Sequence, residues 1–257
     1  MRLTKHIPNF ITCCNLLCGC AGIVLCFNRH IAGAGMMIMA AALFDFCDGF
    51  AARALHAYSA IGKDLDSLAD VVSFGVLPGM IMMRVFIAVN PDYHIGSAIP
   101  YPQALLPWVP CLIPVFSALR LAKFNNDPRQ TDSFRGLPVP ANGLLIAALP
   151  FIVQSYLVNA AGGSVSFIEQ AVYTLFSTPV LMIIFVLLMC FLLVSELPLF
   201  ALKFKSYGFS QNKYAYVLIA SSAVLLLLYR IEALPLIIIL YVLLSAVKHF
   251  IPTSDKQ

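Results

Sequence analysis

Residues 44–70 read FDFCDGFAARALHAYSAIGKDLDSLAD and hold five of the chain's twelve carboxylates: Asp45, Asp48, Asp64, Asp66 and Asp70. Their surroundings make this unusual. The 257 residues are 61% hydrophobic and 11% charged, with a mean hydropathy of +0.89, whereas about a quarter of the residues of an average soluble domain are charged. No residue is charged between Lys5 and Arg29, between Arg135 and Glu169, or between Glu169 and Glu196. A membrane span needs only about 20 apolar residues. The chain therefore reads as an all-α, polytopic integral membrane helix bundle.

Charge and turn residues mark spans at 7–28, 31–55, 65–89, 99–123, 138–160, 171–195, 214–230 and 232–248. That is about eight transmembrane helices, a six-span core plus two C-terminal ones. The last two are near the lower length limit, and Arg230 and the flanking lysines must snorkel. The alternative is six spans with a re-entrant C-terminal hairpin. The first apolar run is too long for a signal peptide and lacks an Ala-x-Ala-like cleavage site. The eight cysteines fall almost entirely inside apolar runs and read as small membrane-buried residues, with no disulfide framework or zinc site.

Orientation follows from the basic residues. With a cytosolic N-terminus, Arg2, Lys5, Arg53, Lys63, Arg120, Lys123, Arg129, Arg135, Lys203, Lys205, Lys213, Lys248 and Lys256 fall on the cytosolic side. Arg29 and Arg230 are left outside and Arg84 lies within a span. This bias puts both termini and the Asp-rich segment on the cytosolic side of the cytoplasmic membrane. The net charge of +4 calls for no nucleic-acid partner, because basic loops at an anionic leaflet account for it.

Asp45 and Asp48 are three positions apart and Asp66 and Asp70 four, so each pair shares a face of its own helix. A short turn near His56–Gly62 aims the four carboxylates at one point. At membrane depth each ionised Asp costs about 2.5–3.5 kcal/mol, so four unpaired ones cost on the order of 10 kcal/mol. A cation is required. One reading pairs the acids with Arg53, Lys63 and the basic loops. The other, favoured because acids outnumber nearby bases, places divalent ions there, two of them, since clustered hard oxygens suit Mg²⁺, Mn²⁺ or Ca²⁺. Asp64 points to another face and reads as solvated. Gly49, Ala51 and Ala52 leave the helix surface bare for a phosphate or ribose, with Arg53 at hand; Gly62 offers the same or simply turns the chain.

The spacing Asp45-x2-Asp48-Gly49-x2-Ala52-Arg53-x8-Gly62-x3-Asp66-x3-Asp70 matches the signature D-x2-D-G-x2-A-R-x8-G-x3-D-x3-D at every specified position. The chain thus resembles the CDP-alcohol phosphatidyltransferase family. FDFCDGFAAR, LDSLADVVSFGVLPG, ALRLAKFN and FRGLPVPANG look like its phosphatidylserine synthase branch, the CDP-diacylglycerol–serine O-phosphatidyltransferases. Glycerophosphate-using relatives carry LDPLADK in place of LDSLADVVSFG. The likeness runs from about residue 7 to 143, giving a catalytic core at 7–143 and remaining transmembrane helices at 144–257 within a single membrane domain, 1–257. One departure is at Glu196 and Ala201, where the branch has Arg and Ser; Lys203 persists.

The resemblance implies that a serine hydroxyl attacks the β-phosphorus of CDP-diacylglycerol and that CMP leaves. It implies two bound metal ions, with Asp45, Asp48 and Asp66 as ligands and Asp70 as the base, itself touching one ion. An ordinary aspartate is a weak base at neutral pH, so Asp70 depends on close positioning. Pro8-Asn9-x2-Thr12-x2-Asn15 matches a further family element. Asn9 and Thr12 join Asp48, Gly49, Ala52, Arg53 and Gly62 as nucleotide contacts, although the same stretch also reads as a helix cap. Arg120, Lys123 and Arg135, with Arg129 a weaker candidate, are the basic residues that could hold the serine carboxylate or lipid phosphate. The helices beyond 144 are assigned to packing, lipid contact or homodimer formation. Alternatives are a relative using glycerol phosphate, inositol phosphate or choline, and, from another class, a cation transporter, which needs carboxylates near mid-membrane.

Overall fold

The computed structural model describes residues 6–57, 59–94, 98–126, 133–200 and 209–250. Ten α-helices follow in order: α1 (Ile7–Phe27), α2 (Ile31–Ala54), α3 (Ala60–Asp70), α4 (Leu77–Val89), α5 (Leu112–Asn126), α6 (Val139–Asn159), α7 (Phe167–Ser177), α8 (Pro179–Val194), α9 (Phe209–Tyr229) and α10 (Ala233–Phe250). Among the described residues, the only strands are β1 (Ser133–Arg135) and β2 (Pro198–Phe200), paired antiparallel with Arg135 opposite Pro198. They are too short to show in the sequence pattern, and the fold is otherwise all-α.

The two turns that shape the site are built alike. At the end of α1, Arg29 takes a left-handed conformation (φ 64°), while the His30 amide donates to the Leu25 carbonyl at 2.9 Å and the Arg29 amide to Cys26 at 3.2 Å. At the end of α2, His56 does the same (φ 48°), with the Ala57 amide on Ala52 at 3.0 Å and the His56 amide on Arg53 at 3.3 Å. Such paired bonds satisfy the last carbonyls of a helix and reverse the chain at a position glycine usually fills. Ser59 then caps α3 by accepting from the Gly62 amide at 3.0 Å. Helix therefore begins at Ala60, earlier than the span boundary at 65 drawn from charge, and the segment with Gly62 and Asp66 is helical.

A π-helical turn, Val71–Val76, joins α3 to α4 directly after Asp70. The side chain of Ser73, on this turn, leaves no room opposite it on α1. A Cβ on Gly19 would lie 2.5 Å from Ser73 Oγ and 3.0 Å from its Cα, so glycine is what allows α1 to press against the π turn. Helix α6 runs through the middle of the bundle, against α2, α4, α7 and α10, and most of its length is buried.

Six helical stretches of the described residues are long and apolar enough to cross a membrane: 7–27, 31–54, 60–89, 103–126, 139–159 and 212–249. The expected span 171–195 is instead two helices, α7 and α8, bent by 98°. Pro179 explains the break, because it lacks an N–H and forces the preceding Thr178 out of the helical region, to φ −108° and ψ 102°. Counted as one broken span, this pair is a seventh. The stretch 212–249 is interrupted by Arg230 (φ 50°), and its halves, α9 and α10, pack against each other. The expected eight is reached only with these halves taken as two spans. All eight cysteines are free.

Candidate active site

Helices α2 and α3 each present two aspartates one turn apart, and α1 lies across both pairs. Carboxylate oxygens of Asp45, Asp48 and Asp66 lie within 4.8 Å of one another. Asp48 is buried, Asp45 and Asp66 half-buried. Asp66 Oδ1 is buried without a hydrogen-bond partner. Asp70 is buried too, but it falls outside this group of three.

Helix α1 fixes the second and the last of the four aspartates. Thr12 Oγ1 donates to Asp48 Oδ2 at 2.6 Å, and one turn on, Asn15 Nδ2 donates to Asp70 Oδ1 at 3.2 Å. Asn15 is held in turn from its backbone, whose carbonyl accepts from Ser73 Oγ at 3.0 Å. Its own Oδ1 is buried without a partner. Sequence reasoning gave Asn15 no task beyond its place in a motif. Its signal was the i, i+3 spacing of Thr12 and Asn15 in an otherwise apolar helix.

Three carboxylates this close repel strongly. At an effective dielectric constant of about 20, two unit charges 4.8 Å apart interact with roughly 3.5 kcal/mol per pair. No lysine or arginine among the described residues neutralises them. Lys63 Nζ instead bonds the Asn125 carbonyl at 3.1 Å, and Arg53 is exposed, with Nη1 3.5 Å from the position a Gly49 Cβ would take. Among the described residues, neither Arg53 nor Lys63 forms an ion pair with the acids, and Arg129, Lys203 and Lys205 of the basic loops lie outside the described residues. An all-oxygen donor set with an unsatisfied buried oxygen fits a hard divalent cation.

Beside the carboxylates is a cleft of about 210 Å³ lined by Asn9, Thr12, Asp48, Gly49, Ala52, Gly62, Lys63 and Asp66, among others. Six of the residues expected at the nucleotide, Asn9, Thr12, Asp48, Gly49, Ala52 and Gly62, line it together, and Arg53 reaches over Gly49 at its edge. The cleft is narrow at Gly62, where a Cβ would sit 2.9 Å from Ser59 Oγ and 3.0 Å from Asn9 Oδ1.

The basic residues separate into two groups. Arg120, on α5, is buried with its Nε unpartnered, its guanidinium 4.9 Å from the centroid of the Phe124 ring, and close enough to Asp70 for their charges to interact. Lys123 and Arg135 are instead bridged by one acid: Lys123 Nζ lies 3.3 Å from Glu196 Oε1 and Arg135 Nη1 3.5 Å from Glu196 Oε2. The β1–β2 pairing brings Arg135 and Glu196 together. Arg129, Ala201 and Lys203 lie outside the described residues. Two further polar side chains are fully buried without partners, Ser117 Oγ and both amide atoms of Asn142. Ser117 is one turn before Arg120 and packs on the π turn, its Cβ 3.1 Å from where a Gly75 Cβ would be.

A family model of the CDP-alcohol phosphatidyltransferases matches residues 5–176. The chain is 34% identical over 153 residues to a Bacillus subtilis protein named CDP-diacylglycerol–serine O-phosphatidyltransferase, covering 60% of this chain and 80% of that one. A Methanocaldococcus jannaschii protein of the same name is 30% identical over 205 residues, 79% of this chain and 90% of the relative. A third, from Saccharomyces cerevisiae, is 30% identical over 174 residues, 62% and 58% of the two chains. An integral membrane helix bundle with clustered aspartates on two adjacent helices is thereby placed: the chain belongs to the CDP-alcohol phosphatidyltransferase family and is a transferase. The family is in general dependent on divalent metal, and this aspartate cluster has the donors for it.

Proposed function

We propose that the protein transfers the phosphatidyl group of CDP-diacylglycerol to the hydroxyl of L-serine, forming phosphatidylserine and releasing CMP, as a step in phospholipid synthesis. The observation that carries this reading is the convergence of Asp45, Asp48 and Asp66 within 4.8 Å, with Asp48 and Asp66 in the wall of the cleft and Asp70 buried one turn beyond Asp66. The names of the relatives support serine as the acceptor.

Asp45, Asp48 and Asp66 would hold the divalent metal, Mg²⁺ or Mn²⁺ and in a pair, with Ca²⁺ a further candidate. Bound there, it would supply charge neutralisation to the pyrophosphate and to the departing CMP. Asn9, Thr12, Gly49, Ala52, Arg53 and Gly62 receive the nucleotide: the glycines and Ala52 leave room for ribose and phosphate, and Arg53 contacts phosphate oxygens. Thr12 acts through Asp48 by holding its carboxylate. Asp70 takes the proton of the serine hydroxyl as its oxygen attacks the β-phosphorus and the bond to the CMP phosphate breaks. Asn15 orients Asp70 by occupying Oδ1 and leaving Oδ2 for that proton. Arg120, buried and unpaired at Nε, binds the serine carboxylate. Lys123 and Arg135, tied to Glu196, supply positive charge at the edge of the acceptor region.

The asymmetry of basic residues supports a cytosolic active site and cytosolic termini. The core at 7–143 carries every residue given a role here except Glu196, which holds Lys123 and Arg135, and the helices from 144 on serve packing and a homodimer contact. The deciding experiment incubates the purified protein with CDP-diacylglycerol and a panel of acceptors: serine, glycerol phosphate, inositol phosphate and choline. CMP release is expected with serine alone. Faster release with glycerol phosphate would overturn the serine reading while leaving the family chemistry intact.

A further inference from the structure

At the end of the bundle opposite the aspartates lies a cavity of about 550 Å³, within the usual range of about 300–1,000 Å³ for small-molecule sites. Its walls come from four helices, with Leu25 at the end of α1, Gly33 at the start of α2, Val85 on α4 and Val153 on α6. Pro150 contributes to the lining where its missing N–H interrupts the ladder of α6. Apart from Gln154, Arg29 and His30 the lining is apolar. At its rim stand Arg29 and His30, and no carboxylate is among its lining residues.

Three observations indicate an anion here. Arg29 and His30 are both exposed where they line the cavity, with no carboxylate in the same wall. Arg84, one helical turn before the lining residue Ala88, has a buried Nε with no acceptor. The neighbouring cavity of about 430 Å³ supplies the contrast: its left-handed Arg230 is accompanied by Glu232 in the same wall. Of these two cavities, the first is lined by basic residues with no carboxylate beside them.

We infer that this cavity binds an anionic phospholipid, one acyl chain entering between α2, α4 and α6 and the headgroup phosphate meeting Arg29 and His30. It is separate from the reacting lipid. Gly33 and Asp48 are 15 residues apart on α2, about 22 Å along the helix axis, so the headgroup bound here is that of a lipid in the opposite leaflet. The inference does not depend on which alcohol the enzyme accepts.

The test measures the melting temperature of the purified full-length protein in detergent with added phosphatidylglycerol or phosphatidylcholine of identical chains. Phosphatidylglycerol is expected to raise Tm in the wild type and equally in Asp66→Asn, while phosphatidylcholine and inorganic phosphate do not. Gly33→Phe fills the cavity, since a Cβ there meets only Leu25 at 3.4 Å and His30 at 3.9 Å, and it should abolish the shift. Arg29→Gln should cut the shift by at least half. Should Gly33→Phe not fold, Leu157→Trp blocks the same cavity from a partly exposed position. An undiminished shift in Arg29→Gln and in the filled variant overturns the site. An equal shift with phosphatidylcholine overturns its charge selectivity, and loss of the shift in Asp66→Asn assigns the lipid to the active site.

Discussion

Replacing Asn15 by Leu tests whether α1 prepares Asp70 for proton removal. The side chain contributes one hydrogen bond to the Asp70 carboxylate, 3.2 Å long, at the far end of the usual N–H···O range. A bond to a charged group is worth about 1.5–3 kcal/mol, so the low end, about 1.5 kcal/mol, applies here. If the bond is fully in place in the transition state, its loss lowers kcat by about tenfold, at about 1.36 kcal/mol per decade. Leucine keeps the branched four-atom outline of asparagine, though its methyls are larger than the amide atoms they replace, and it also removes the buried, unpartnered Oδ1; the melting temperature of the same preparation checks that the fold is kept. The assay follows CMP release at saturating CDP-diacylglycerol with serine varied, alongside metal-dependent binding of CDP-diacylglycerol to the same preparation. The expected result is a lower kcat with lipid binding unchanged. An unaltered kcat would refute the orienting role of Asn15, and a parallel loss of lipid binding would show that the residue maintains the whole cluster.

Chelation with excess EDTA should abolish activity and Mn²⁺ or Mg²⁺ should restore it; full activity in EDTA would remove the metal from the account. Asp45→Asn and Asp66→Asn should lose both turnover and metal-dependent lipid binding, because a neutral amide cannot balance a cation, whereas Asp70→Asn should lose turnover and keep more of the binding. Equal binding loss in all three would make Asp70 chiefly a ligand. Arg120→Lys keeps the charge but loses the planar fork, so it should raise the KM for serine or cut turnover by at least about tenfold, some 1.4 kcal/mol. A kinetically normal variant would move the carboxylate contact elsewhere. Glu196→Gln removes the anion that bridges Lys123 and Arg135, and the KM for serine should fall if those cations assist the acceptor; an unchanged KM would confine the trio to a structural role.

The carboxylate cluster was legible because its chemistry is local: Asp45 with Asp48, and Asp66 with Asp70, lie on single helices at fixed spacing, so helix geometry alone turns each pair to one side. The cleft residues on α2 and α3 followed for the same reason. What the sequence withheld depends on contacts between distant segments. The bond from Asn15 to Asp70 spans 55 positions, and the Glu196 bridge depends on a three-residue strand pair too short to register as alternation. The span boundary fell at 65, five residues into α3, because it was drawn just past the charges of Lys63 and Asp64. The Ser59 cap, not charge, sets that boundary. The break at Pro179 was readable in principle, but the long uncharged run around it read as one span.

The height of the site in the membrane follows from helix length. The stretch Ala60–Val89 is 30 residues, about 45 Å at 1.5 Å per residue, against a hydrocarbon core of about 30 Å. If Val89 lies at one boundary, the excess of roughly 15 Å is about ten residues, which is the length of α3. The bilayer edge then falls near Asp70. Asp66 is beyond it on the aqueous side, within reach of a hydrated nucleotide, while Asp70 sits at the level where a lipid's phosphates meet its acyl chains. The same length carries Lys63 and the exposed Asp64 clear of the hydrocarbon. A transporter would need its acids some 15 Å deeper, at the middle of that core. Carboxylates at the edge instead meet the two halves of CDP-diacylglycerol where they naturally part, the cytidine in water and the diacylglycerol in lipid.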